Sequence, residues 1–317
     1  VNSFPESDAF YSKKRILISG GTGFIGTHLL NQLQRVGADV AIISRSAKVQ
    51  FSEIKVFVGS IDDNDFVTKT VEEFSPQIIF HLAAVRARTL SYEAFSETIQ
   101  SNLIGSLNLL YASLKLKQLK RFVVLGTAEE YGKNLAPFNE KMRESSVSAY
   151  SFSKQSVTHL SQLMYESFEL PTVVLRPSIA YGPGQNKDMF LPALLESLIK
   201  NKPFPMTHGE QTRDFVYIDD LVQAILRAGH YPHLEGEVIN IGSGKPILIS
   251  NLVKNVEELL HVKGLAQLGA IPYRQTEQMN YWLDITKAKN LLGWGNLTTL
   301  DEGLKRTISW HKRYAEK

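Results

Sequence analysis

Hydrophobic positions along the chain follow two alternating rhythms. Short runs that are apolar at nearly every position occupy residues 15–20, 40–44, 54–59, 77–82, 121–126 and 172–176. Runs of that length without polar alternation predict strands covered on both faces. Between them, apolar residues recur three and four apart, which predicts helices over 24–36, 64–74, 94–116 and 150–168. Strand and helix in regular succession predict an α/β fold, a doubly wound parallel sheet with right-handed crossovers.

Beyond Arg176 the rhythm breaks at Pro177, Pro183, Pro192, Pro203 and Pro205, where a smaller C-terminal substrate lobe is expected to begin. A later strand-like VINIG (238–242), together with DFVYIDD (214–220) ahead of it, looks able to rejoin the sheet. The two parts would then interleave: 14–178 plus 214–243 for the parallel sheet, and 179–213 plus 244–317 for the other.

Composition narrows the class. Of 317 residues 43% are hydrophobic and 21% charged, which excludes disorder and fibrous folds. The net charge of +3 provides no global field, so neither nucleic acid nor an anionic membrane is expected as a partner. The chain has no cysteine, which removes disulfides, thiolate metal sites and cysteine nucleophiles. No apolar stretch approaches the roughly 20 residues of a membrane span, and the opening VNSFPESDAFYSKK lacks a secretory signal's hydrophobic core. A soluble, cytoplasmic protein is expected.

The first strand runs into GGTGFIG and then an amphipathic helix. In that context glycines at 20, 21, 23 and 26 allow a tight turn, close approach of a pyrophosphate and tight packing of helix on strand. With Phe24 and Ile25 at the helix start, Gly20, Gly23 and Gly26 predict a Rossmann dinucleotide site. Where an NAD enzyme usually places an acid on the adenosine ribose, the second strand ends in Ser44 and Arg45. A hydroxyl beside a guanidinium suits a 2′-phosphate, so NADP is expected, with NAD the alternative.

YSFSK sets Tyr150 and Lys154 four apart on one helix face, where an ammonium would favour the phenolate and equip Tyr150 to move a proton. Thr127, in LGTAEEYG at the carboxyl end of a buried strand, is placed to bond the same oxygen. No metal is expected: His230 and His233 are separated by Pro232, which breaks ligand spacing. His81 is read as a packing residue at a strand end. The basic run Lys115, Lys117, Lys120 and Arg121 is read as a solvated helix end.

GGTGFIG, HLAA (81–84), Asn102 with Gly105, the Thr127 segment, YSFSK, YGPGQ and RDFVYIDD occur in that order over nearly the whole chain. In this the protein resembles the extended short-chain dehydrogenases/reductases of the nucleotide-sugar epimerase and dehydratase group. The resemblance implies a catalytic triad of Thr127, Tyr150 and Lys154, with hydride transfer at sugar C4. It implies cofactor contacts from Ile61, Leu82, Ala83, Ala84, Arg86 and Lys154, with Arg86 near the phosphates. It implies that Arg213 and Arg274 grip the diphosphate of a nucleotide sugar. It also implies that Glu129 matches the dehydratase base position and faces substrate. Relatives pair as homodimers through helices corresponding to 94–116 and 150–168.

Three reactions share such a triad. A 4,6-dehydratase needs a second acid and base, and Ala128 stands where many have the acid. Ser44 and Arg45 favour a reaction that draws on NADPH. The expectation is therefore an NADPH-dependent 4-keto-6-deoxysugar reductase, with a 4-epimerase or 4,6-dehydratase holding its cofactor tightly as the alternative. A non-catalytic cofactor sensor is a third reading, disfavoured by the intact triad.

Overall fold

The computed structural model describes residues 9–47, 54–87, 89–274, 277–295 and 297–315. Residues 1–8, which bear on the signal-peptide expectation, lie outside these. Among the described residues no helix is long and apolar enough to cross a membrane.

Seven strands form one sheet: β1 (Arg15–Ser19), β2 (Asp39–Ser44), β3 (Lys55–Val58), β4 (Ile78–His81), β5 (Arg121–Leu125), β6 (Thr172–Pro177) and, far along the chain, Val238–Ile241. All pair in parallel, in the order Val238–Ile241, β6, β5, β4, β1, β2, β3. The winding reverses beside β1, opening a crevice at the carboxyl ends of β1 and β4 where such sheets bind ligands.

Central strands are buried on both faces, which is why they show no polar alternation. Ile16 and Ile18 of β1 pack with Leu29 and Leu33 of α1 (Phe24–Arg35) in one core. Leu17 points the other way, into a second core with Val67 and Val71 of α2 (Asn64–Phe74). Asp63 caps α2 by accepting from the Phe66 N–H, and left-handed Ser75 ends it.

The helix predicted over 94–116 is three pieces: α3 (Tyr92–Thr98), a wide π turn over Ile99–Ile104, and α4 (Gly105–Ser113). The widening falls where buried Asn102 is claimed from outside the helix. Its amide bonds both backbone groups of Val85 and donates to Ser153 Oγ. Next to it, a Cβ on Gly105 would lie 2.6 Å from Ile61. The fourth predicted helix forms as α5 (Ala149–Phe168), opened by Ser148 and Ser151 in a reciprocal cap.

The irregular half contains β7 (Ile179–Tyr181), α6 (Phe190–Ile199), β8 (Phe204–Met206), β9 (Thr212–Arg213), β10 (Phe215–Tyr217), α7 (Ile218–His230), β11 (Val238–Ile241), β12 (Ile247–Leu248), α8 (Ile249–Leu260), β13 (Ala266–Leu268), α9 (Thr286–Leu292) and α10 (Leu300–Ala315). VINIG does rejoin the sheet as β11. DFVYIDD does not: β10 pairs with β7 in a separate two-stranded sheet, because β11 already occupies the free edge of β6. Arg121 also departs from expectation. It is buried at the start of β5, with Nη2 2.8 Å from Glu235 and from the Tyr231 carbonyl.

Candidate active site

The glycine turn leaves no room for side chains. Gly20 is left-handed at φ +77°, and a Cβ there would sit 2.6 Å from the Ala83 nitrogen. On Gly26 a Cβ would fall 2.2 Å from the Gly20 carbonyl oxygen. The turn therefore lies tight against α1 on one side and the Leu82–Ala83–Ala84 stretch on the other. Gly23 caps α1 without a side chain, and no acid sits in the first turn. The N–H groups at Phe24 and Ile25 thus face outward under the helix's positive potential, a fit for a pyrophosphate. Ser44 ends β2 half-buried, and Arg45 beside it is exposed.

Thr127, Tyr150 and Lys154 converge from two elements. Thr127 follows β5 and caps a 3-10 turn (Ala128–Tyr131), its hydroxyl accepting from the Glu129 N–H at 3.2 Å. Tyr150 and Lys154 lie on the first turns of α5. The Tyr150 N–H donates to the Ala87 carbonyl at 3.0 Å, fastening the helix start to the loop after β4. The Thr127 side chain lies near enough to the Tyr150 phenol to favour its ionisation.

The electrostatics differ from expectation. Burial, reinforced by Glu129, pushes Tyr150 up to about 12, against the pull of Arg86 and Thr127. The phenol is therefore held protonated at neutral pH, not partly ionised by Lys154. Burial brings the Lys154 ammonium down to about 8, with Glu130 opposing. Arg86 was expected at the cofactor phosphates. Its guanidinium lies 5.9 Å from the Tyr150 ring centre, donates to Glu129 Oε1 at 3.1 Å and contacts Met189 Sδ.

Behind the triad runs a buried polar network. Glu130, without solvent exposure, accepts from the Thr127 N–H at 2.9 Å, from Thr158 Oγ1 at 2.8 Å and from Arg176 Nε at 2.8 Å. Arg176 also pairs with Glu144 and stacks on Tyr131, whose hydroxyl donates to Asn240 Oδ1 at 2.7 Å. A second chain crosses the sheet end. His81 Nδ1 lies 2.6 Å from Ser19 Oγ, and Nε2 lies 2.7 Å from Ser106 Oγ. Because Ser106 donates its proton to the Asn102 carbonyl, Nε2 carries the imidazole hydrogen and Nδ1 accepts from Ser19. Burial, with Lys154 adding, lowers His81 to about 3, so it stays neutral.

None of Glu130, Arg176, Ser19, Ser106 or Ser153 was singled out from sequence. The capping-box spacing from Thr127 to Glu130 was the one available signal.

Arg213 is half-buried against Glu277 and donates to the Gln278 carbonyl, while Arg274 is exposed nearby in the chain. Next to Arg213, buried Asp214 accepts from Ser243 N–H and Oγ and from the backbone at Gly244 and Leu283, tying β10 to the end of β11. Among the described residues no group of three or more His, Asp or Glu could hold a metal ion.

The sequence model of the NAD dependent epimerase/dehydratase family matches residues 16–242. The chain belongs to that family. It is an NAD-dependent nucleotide-sugar epimerase/dehydratase of the extended short-chain dehydrogenase/reductase type, as the ordered motifs implied. A UDP-glucuronate 4-epimerase from Thermodesulfobacterium geofontis is 30% identical over 318 residues, covering 95% of this chain and 97% of its own. A UDP-glucose 4-epimerase from Thermotoga maritima, solved with UDP-glucose, shares 29% identity at a TM-score of 0.88 over 95% of this chain and 99% of that one. The UDP-glucuronic acid 4-epimerase of Bacillus cereus, solved with UDP-glucuronic acid and NAD, shares 27% at 0.84 over the same proportions. These three relatives are named as epimerases, so the comparisons favour the tight-cofactor alternative over the expected reductase.

Proposed function

We propose that the protein is a nucleotide-diphosphate-sugar 4-epimerase that retains its dinucleotide through turnover. The observation that carries this is the pairing of Glu129 with Arg86 beside a buried Ala128. Among the described residues the site joins Thr127, Tyr150 and Lys154 with two carboxylates, Glu129 and Glu130, each engaged by an arginine. Proton transfer at a single sugar oxygen is within its means, whereas elimination of water is not supported.

A bound nicotinamide supplies the hydride acceptor and donor for C4. The phenolate fraction of Tyr150 would take the proton of the C4 hydroxyl as the ketone forms and return it after the sugar turns over, so turnover should rise with pH toward the phenol's raised pKa. Thr127 would hold that oxygen, and Lys154 would hold the nicotinamide ribose. Ser44 and Arg45 support NADP as the dinucleotide, since no carboxylate stands at the end of β2 to repel a 2′-phosphate. Ile61, Leu82, Ala83 and Ala84 line the cofactor side. Substrate phosphates would compete with Glu277 for Arg213, with Arg274 adding charge.

The interleaved division stays part of this reading, 14–178 with 214–243 for cofactor and 179–213 with 244–317 for substrate. So does a homodimer. Exposed Tyr111 of α4 meets exposed Phe168 of α5 at 6.3 Å, and exposed Leu163 extends an apolar face suited to a second copy.

The test is to release and identify the dinucleotide from purified protein, then follow C4 interconversion of UDP-linked sugars without added reductant. Tyr150→Phe is expected to abolish turnover and keep the dinucleotide. NADPH consumption by 4-keto sugars alone, or release of water from the sugar, would overturn the epimerase reading.

A further inference from the structure

Arg86, Glu129 and Met189 come from three loops: after β4, after β5 and ahead of α6. Arg86 joins the other two, and its guanidinium lies 5.9 Å from the Tyr150 ring centre. The side chains of the ion pair keep 41% and 23% of their surface, so the pair sits at the mouth of the site, where it is not needed to satisfy a buried charge. Building on the epimerase reading above, we propose that Arg86 and Glu129 are positioning residues that together set the ionisation of the Tyr150 phenol, one favouring the phenolate and the other opposing it.

Among the described residues, few other groups face Tyr150. The turn after β5 presents Thr127 and Glu130, and Glu130 is already neutralised by buried Arg176. Lys154 lies one turn along α5 and interacts with Glu130 and with His81 at the end of β4. Tyr281 approaches from the C-terminal segment as a neutral, buried phenol. Among the described residues, Arg86 and Glu129 are therefore the opposed, partly exposed charges near this ring. A cation near a phenol stabilises its anion, and a carboxylate destabilises it. While paired, the two largely cancel.

Breaking the pair from either side removes the same salt bridge but leaves opposite charges behind. Arg86→Gln should move the basic group seen in the kcat/KM profile upward by about one pH unit, and Glu129→Gln should move it downward by a similar amount. Arg86→Lys, which keeps the charge, should return the profile close to wild type. A bridge that only holds loop to turn would shift both glutamine variants in the same direction, or neither.

A substrate-free readout separates this inference from the epimerase reading. Tyrosinate absorbance of the protein as purified, taken as the difference from Tyr150→Phe, reports the Tyr150 titration directly, with circular dichroism following the fold at each pH. Opposite displacements in the two variants support the proposal even if no epimerisation is found. Parallel or absent displacements overturn it even if epimerisation is robust. Should a glutamine variant fail to fold, Arg86→Ala and Glu129→Ala carry the same comparison.

Discussion

Replacing Glu130 with glutamine removes one charge from a position no water reaches. The carboxylate there serves the Thr127 N–H with one oxygen and Thr158 and Arg176 with the other. A glutamine oxygen can keep the first bond, but its NH2 then faces a guanidinium and a hydroxyl that both donate. Breaking a buried ion pair from one side costs about 3 to 5 kcal/mol, and Glu144, still on Arg176, argues for the lower part of that range. With unfolding entropy near 2.1 cal/mol/K per residue, a chain of 317 residues loses about 5 to 6 °C of melting temperature. Turnover should fall too, because the mispaired amide disturbs the turn that carries Thr127. Thermal unfolding followed by circular dichroism at neutral pH, wild type alongside, measures the effect. A melting temperature within about 1 °C of wild type would refute the view of Glu130 as the buried keystone of the site.

Two further outcomes follow from the same geometry. His81 titrates at about 3 when folded, against about 6.5 for an ordinary histidine, so the unfolded chain binds the extra proton between those limits. Its contribution to stability is full above about pH 6.5 and is lost as pH falls toward 3, roughly 3 to 6 kcal/mol in all. The melting temperature of wild type should therefore drop more steeply with acid than that of His81→Asn, and parallel curves would refute the buried neutral imidazole. In Gly26→Ala the new Cβ would press on the Gly20 carbonyl oxygen at 2.2 Å, and neither backbone can yield without spreading strand and helix. Destabilisation of about 1 to 3 kcal/mol and protein isolated without dinucleotide are expected, checked by unfolding and by extraction of bound cofactor.

Much of the site was legible because its signals are local. Gly20, Gly23 and Gly26 lie within one turn, Tyr150 and Lys154 on successive turns of one helix, and each strand within a single apolar run. Glu130 and Arg176 were not legible, since a glutamate in AEEYG and an arginine in VLRPS look like ordinary surface or strand residues until 46 positions of chain are folded between them. Arg86 was noticed, but only the packing of three loops decided that it faces Tyr150.

Local spacing alone determined the alternating architecture, the glycine turn and the placement of Tyr150 and Lys154 on one helix face, because backbone periodicity and helix geometry act over a few residues. Which edge β10 joins, where the Ala94 helix widens, and whether the phenol is protonated were decided by tertiary structure. Burial and the long-range placement of charge set those outcomes, and both depend on neighbours brought together only when the sheet closes.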